Sequence, residues 1–399
     1  MVFRVLGVVV FCAAAGSASG QSLPAEPISV GGGRVVVSGD VAGSIAPEDF
    51  GFFNYSDYEH STLREFRAGV SILVRAAERV AVLADVRSEN FSAPEAYALY
   101  ARIRPFTGRR FDLQIGRIPP TFGGFPRQTY ARDNPLIGYP LAYQYLTSLR
   151  ADALPADVDE LLRMRGRGWL ASYSIGNVTP ARGVPVAAAL TWDTGVQISS
   201  GWKKLDITGA ITNGSPSRPL VTDDNSGKQI AARAVVHASP AVAIGASYAR
   251  GAFVSRRALI AAGTTDATDH AQQAFGMDGS YQVGHLSVRA EVIASSWQLP
   301  LHVSNTTLDL RSASGSVEVK YGFLPGAYVA GRIERLSFSR VASATRADTW
   351  DAPVSRVEVG GGYYLQRNVV GRVSMQMNER SGGRVTSSRL AAVQLLYWF

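Results

Sequence analysis

The stretch RLAAVQLLYWF, residues 389–399, places Ala391, Val393, Leu395, Tyr397 and Phe399 on one side of an extended strand, because consecutive strand side chains point to opposite faces. As the last strand of a soluble domain it would leave an apolar face exposed. The same period of two continues backwards through the chain. Val317, Val319, Tyr321 and Phe323 alternate with Ser316, Glu318, Lys320 and Gly322. Phe66, Ala68, Val70, Ile72 and Val74 alternate with Glu65, Arg67, Gly69, Ser71 and Leu73, and Val357 and Val359 with Arg356 and Glu358. Strands are therefore expected from about residue 34 to residue 399.

Composition excludes the competing classes. With 46% hydrophobic and only 18% charged residues in 399, the chain is too apolar to be disordered. A mean hydropathy of +0.03 is reached without a long oily segment beyond the N-terminus, which excludes a bundle of membrane helices. The single cysteine, Cys12, excludes a disulfide scaffold. The formal net charge is +8, but the arginines are spread through the chain rather than run together, so no nucleic-acid partner is expected. Residues 1–20 read as a cleaved export signal: Arg4, an apolar stretch from Val5 to Ala15, then Ala18, Ser19 and Gly20. Residues 21–399 then form one domain without cysteine.

Charge decides between a soluble sandwich and a membrane barrel, because both alternate. One face of most strands carries ionised side chains, and a sandwich core could not bury so many without large desolvation costs. If that face is wet, the apolar face needs lipid, and a closed barrel satisfies both while leaving no unpaired edge. Tight connections alternate with long ones, as an up-and-down meander requires, and between them about sixteen antiparallel strands are counted, from 34–46 to 385–399. The longest connection, about 119–188, contains eight prolines, with Gly123 and Gly124 among them, and cannot be a run of central strands. A short helix is expected at 157–165, where Val158, Leu161 and Leu162 fall at helical spacing ahead of Gly166. A connection this long is usually functional.

The terminal stretch resembles the last strand of bacterial outer-membrane barrels, and that resemblance implies that Tyr397 and Phe399 belong to a signal read by the barrel-assembly machinery. Residues 116–150, GRIPPTFGGFPRQTYARDNPLIGYPLAYQYLTSLR, look like a stretch of bacterial porins, and distantly like the phosphate-selective porins. The tetrapeptide Pro120-Thr121-Phe122-Gly123 departs from that subfamily's pattern, and its phosphate-binding residues have no matching positions here. The resemblance implies an outer-membrane porin giving passive diffusion of small hydrophilic solutes, with outer-membrane lipid around it and a homotrimer as a class expectation. A closed barrel serving as adhesin or structural anchor is the alternative.

With the bulky face outward, the pore-lining set is Arg67, Arg87, Arg102, Arg104, Arg233, Arg289, Lys320, Arg332, Arg356 and Arg372, together with Glu65, Asp112, Glu291, Glu318, Glu334 and Glu358. The basic majority points to anion preference. In the long loop, Arg127, Arg132, Asp133 and Arg150 are the candidate constriction residues. Tyr97, Trp202, Tyr321, Tyr363 and Tyr397 are expected in aromatic girdles at the lipid interfaces. No enzyme, cofactor or metal site is expected: the five histidines are dispersed and no Gly-x-Ser-x-Gly elbow occurs. Asp266, Asp269 and His270, or Asp57 with His60, could make an acid-base pair at a rim, but solvated loops are the expected state. Asp223, Asn225 and Gly227 have half the spacing of a calcium loop without its downstream glutamate, so an Asx turn is expected.

Overall fold

The computed structural model describes residues 24–55, 61–264, 266–301 and 306–399. Sixteen strands form the barrel: β1 Val35–Ile45, β2 Phe66–Ala77, β3 Val80–Glu89, β4 Glu95–Ile103, β5 Arg110–Ile118, β6 Asp193–Gly201, β7 Leu205–Thr212 and β8 Gln229–Ser239 in the first half. The second half holds β9 Val242–Ala252, β10 Ala271–Val283, β11 Leu286–Leu301, β12 Thr306–Leu324, β13 Ala327–Phe338, β14 Val354–Gln366, β15 Val369–Arg380 and β16 Ser387–Trp398. Each pairs antiparallel with its chain neighbours, and β1 pairs with both β2 and β16, so the ring is closed. All sixteen expected strands are present, with ends displaced by a few residues. The expected export signal, Asp57, His60 and His302 lie outside the described residues.

The alternation resolves into an apolar outside and a polar inside. Ile333 on β13 is 66% exposed between Arg332 at 1% and Glu334 at 3%. A strand can only produce that contrast if its outer face has no protein neighbour, and an outer band of Val, Ile, Leu and Met is what a bilayer requires. Tight turns gather at one end of the barrel and long connections at the other. The 119–192 connection belongs to the long end, where Leu141, Tyr145, Leu149, Leu161 and Tyr173 pack with Phe253, Leu259, Trp297, Phe338 and Trp350. The hydrophobic core is thus inside the long-loop end of the barrel. The expected helix is Val158–Arg163, with the Asp157 side chain accepting the Glu160 N–H at 2.8 Å as its N-cap.

Barrel closure rests on the last residue. Phe399 and Gly39 exchange backbone hydrogen bonds of 2.9 and 3.1 Å, extending the β1/β16 ladder to the chain end. The Phe399 ring lies where a side chain at 39 would go: a Cβ there would meet it at 2.7 Å. Gly39→Val is therefore expected to reduce the yield of closed barrel well below wild type, read as loss of the heat-modifiable band on unheated gels; full yield would separate closure from this contact. Three of the expected interface aromatics, Trp202, Tyr321 and Tyr363, are about half exposed on the outside. Tyr97 is a correction. The β3/β4 register shifts between Asp85 and Val86, so the extra residue turns Tyr97 inward, where it is 6% exposed against Trp192.

Candidate functional site: the inner wall and the inserted loop

Strand register sets a row of charges around the wall. Directly opposed partners run Arg289 on β11, Glu318 on β12, Arg332 on β13, Glu358 on β14 and Gln376 on β15. Alternating signs across adjacent strands attract, and the low dielectric of a covered wall strengthens that attraction. Arg332 is the hub: its guanidinium lies 3.1 Å from Glu318, 3.3 Å from Glu334 and 2.8 Å from Glu358. The next pair up, Glu334 opposite Arg356, continues the pattern.

The loop docks on this row through its backbone. Glu358 accepts the Gly138 N–H at 3.0 Å while Arg332 donates to the Gly138 carbonyl at 2.7 Å. A Cβ at 138 would sit 2.1 Å from the Gln376 amide nitrogen and 2.7 Å from Glu358, so only glycine brings the chain this close. Glu334 accepts the Leu141 N–H at 3.0 Å, and Arg356 donates to the carbonyls of Tyr139 at 3.1 Å and Phe53 at 2.7 Å. Arg372 donates to the Ala131 carbonyl at 2.6 Å, and Arg67 to the Tyr139 hydroxyl at 2.8 Å.

The same loop crosses the lumen. The Gly124 N–H and the Tyr143 hydroxyl both donate to Glu291 on β11 at 2.7 Å. Six residues after Gly124, the Tyr130 hydroxyl donates to Asp85 on β3 at 3.0 Å. β3 and β11 stand eight strands apart in a ring of sixteen, so these contacts are on opposite walls. Arg87 stacks on the far side of this bridge, with its guanidinium 3.5 Å from the Tyr97 ring centre and 4.7 Å from that of Tyr130.

Every sequence-selected wall residue within a strand faces inward, but in two environments. Arg67, Arg87, Arg233, Arg332, Arg356, Arg372, Glu65, Glu318, Glu334 and Glu358 are buried, most of them beneath the loop, so they hold protein rather than meet lumen solvent. Arg102, Asp112, Arg289, Glu291 and Lys320 are half-buried. Arg104 lies past the end of β4, exposed, donating to Asp112 at 2.6 Å. In the loop, Arg132 and Asp133 form an accessible pair at 3.8 Å. Arg150 is a correction to the constriction set. It is fully buried within the loop, bound to Asp152 at 2.9 Å and to the carbonyls of Ala171 and Thr179, because the loop folds into a small body of its own. The Arg127 side chain lies outside the described residues.

Two carboxyls have displaced titration: Asp152 within the loop body, and Asp351 on the connection between β13 and β14 that packs against it. Burial pushes the Asp351 pKa above its ordinary value, although the N–H groups of Gly166, Ala352 and Ser148 all donate to it and Arg380 is near. Burial also acts to raise Asp152, but hydrogen bonds from Arg150 and Asn177 outweigh it and hold the carboxyl below its ordinary value. At the rim, Asp266 accepts from the Thr268 N–H and hydroxyl, a local turn. Asp223 accepts the N–H groups of Asn225 at 3.1 Å and Ser226 at 2.9 Å, the expected Asx turn, and pairs with Lys228. Missed from sequence were Asp278, which pairs with Arg233 at 2.6 Å, and Tyr130, Tyr139 and Tyr143, whose hydroxyls tie the loop to the wall. Only their position in a loop returning through a charged barrel distinguishes these tyrosines.

No protein-family model and no curated protein matches the chain by sequence. Solved structures match by shape over nearly the whole length. A refined porin structure superposes with a TM-score of 0.51 at 13% identity, covering 92% of this chain and all of that one. The fold is that of the bacterial outer-membrane porins. Two further porin-fold structures agree: OmpT of Vibrio cholerae in a trimer form, TM-score 0.53 at 11% identity over 92% of this chain and 99% of that chain; and an anion-selective porin from Comamonas acidovorans, TM-score 0.50 at 10% identity over the same shares. At such identities the porin likeness concerns architecture, and the charge rows described above are this chain's own.

Proposed function

We propose that this chain is a channel of the bacterial outer membrane, passing small hydrophilic solutes by passive diffusion with a preference for anions, and that it performs no catalysis. The observation that carries this reading is the closed sixteen-strand ring with an apolar outside, a polar inside and one long loop bound across the lumen. Sixteen strands enclose an interior wider than side chains alone can fill. Anion preference is supported by the half-buried members of the sequence-selected wall set, Arg102, Arg289 and Lys320 against Asp112 and Glu291. Removal of residues 1–20, insertion by the barrel-assembly machinery through the Tyr397 and Phe399 face, and a homotrimer like the trimer form of OmpT complete the proposal. Phosphate selectivity is not part of it.

The adhesin or anchor reading draws on one observation, the bridge from β11 to β3, which narrows the lumen. Planar-bilayer recording separates the two. A channel gives stepwise current whose reversal potential under a salt gradient lies on the anion side. A folded barrel that carries no current would leave the anchor, and a cation-side potential would overturn the preference while keeping the channel.

A further inference from the structure

At the tight-turn end the wall of β10 to β14 holds a cavity of about 640 Å³, a size within the range of small-molecule sites. Gly322 on β12 leaves its floor open. This glycine stands opposite Tyr328 on β13, and its N–H donates to the His285 carbonyl at 3.0 Å. A Cβ at 322 would lie 3.8 Å from His285 Nδ1, which puts that imidazole at the cavity's edge. Lys320, two residues along β12 and so on the same inner face, is half-buried, with its ammonium 4.4 Å from the centre of the Tyr328 ring. The Tyr328 hydroxyl donates to the Pro135 carbonyl of the inserted loop at 3.0 Å, which holds the ring in place. Tyr364 on β14 follows, its ring centre 6.2 Å from that of Tyr328 and tilted by 51°, and Trp398 meets Tyr364 edge-on at 6.4 Å. One ammonium and an aromatic wall thus face the same space.

We propose that this cavity is a binding subsite for small aromatic carboxylates of the benzoate type, the carboxylate on the Lys320 ammonium and the ring against Tyr364. The inference rests on the channel reading and deepens it by naming a solute class. Lys320 makes no ion pair or hydrogen bond among the described residues, and its one close contact is the Tyr328 ring. Glu318, two residues along β12, is held by Arg332 at 3.1 Å and by Arg289 at 3.4 Å. The other charges that act on Lys320, Arg372 and Arg289, share its sign and are engaged elsewhere, so the local potential favours an anion without asking either arginine to bind it. One ammonium suits a singly charged carboxylate better than a phosphate, whose oxygens call for several donors. Tyr328 is 4% exposed, covered by Lys320 and the loop, so the half-buried Tyr364 presents the face on which a flat ring stacks. Lys320 and Tyr364 flank the same Tyr328 ring, and a carboxylate bonded directly to a ring reaches both.

The test is calorimetric titration of the detergent-solubilised full chain with sodium benzoate, against sodium acetate, which lacks the ring, benzyl alcohol, which lacks the charge, and inorganic phosphate. Expected is saturable binding of benzoate, with each of the other three about tenfold weaker or worse. Benzoate is expected to bind about tenfold more weakly to Lys320→Gln and about threefold more weakly to Tyr364→Leu, whereas Lys320→Arg keeps the charge and most of the affinity. Heat-modifiable mobility on gels first establishes that each variant barrel is closed, and the comparison of probes on wild type decides without any variant. Acetate or phosphate binding as tightly as benzoate, or unchanged benzoate affinity in a closed Lys320→Gln barrel, would overturn the subsite. Because calorimetry does not need current, a chain that conducts and does not bind benzoate defeats the subsite alone, whereas one that binds and does not conduct defeats the channel alone.

Discussion

Arg332→Met is expected to undock the 131–141 segment from the barrel wall and to cost roughly 3–5 kcal/mol of local stability, the range for removing one partner from a buried ion cluster. The size follows from what is left behind. Arg332 is the shared counter-ion of Glu318, Glu334 and Glu358, the last two 3% and 0% exposed, and it holds the Gly138 carbonyl as well. Methionine fills similar volume, so the loss is of charge and hydrogen bonds rather than of packing. Arg356 remains, but its nitrogens already serve Asn378, Tyr139 and Phe53, and it lies 3.9 Å from Glu334. The barrel itself should survive, because its ladder hydrogen bonds do not involve this side chain. Chymotrypsin then reads the outcome: cleavage after Tyr130 or Tyr143 in the variant under conditions where wild type resists. Arg332→Lys keeps the charge without the planar fork and should fall between the two. Equal resistance in wild type and Arg332→Met would mean that the loop is held by its hydrophobic contacts alone.

The sequence carried the barrel because strand alternation is local: Val317 to Phe323 discloses its two faces within eight residues, whatever happens elsewhere. It also carried the membership of the inner wall, since a residue beside Ile333 or Val357 must face the other way. Register was not legible. That Arg332 stands opposite both Glu318 and Glu358 depends on how three strands slide past one another, which the turns and bulges fix jointly. Nor could sequence say that the wall charges would be spent on the backbone of the loop, through Gly138 and Leu141, rather than on the loop's own Arg132 and Asp133. A bulge of a single residue was enough to carry Tyr97 from the expected lipid interface into the barrel. Arg150 was misplaced for a related reason: a connection of about seventy residues that folds into its own core has an inside, and alternation has nothing to say about it.

Deleting residues 127–167 is expected to raise single-channel conductance by at least about twofold and to move the reversal potential toward less anion preference. Conductance rises because the segment from Gly124 to Tyr130 spans the lumen between β11 and β3, and the following residues to Tyr143 cover the β13 to β15 wall. A sixteen-strand ring without them approaches an unobstructed aqueous channel. Selectivity moves because the deleted stretch holds six arginines and five acids, 6 − 5 = +1, so the lumen loses a positive charge. The wall it uncovers holds Arg67, Arg332, Arg356 and Arg372 against Glu65, Glu318, Glu334 and Glu358, 4 − 4 = 0, and leaves that loss uncompensated. Truncation also removes partners of the 168–188 stretch, so heat-modifiable mobility on gels should first establish that the variant barrel is closed. A closed variant with wild-type conductance would place the path elsewhere than beneath this loop; higher conductance with an unmoved reversal potential would mean that selectivity is set at the tight-turn end, by Arg102, Arg104 and Lys320.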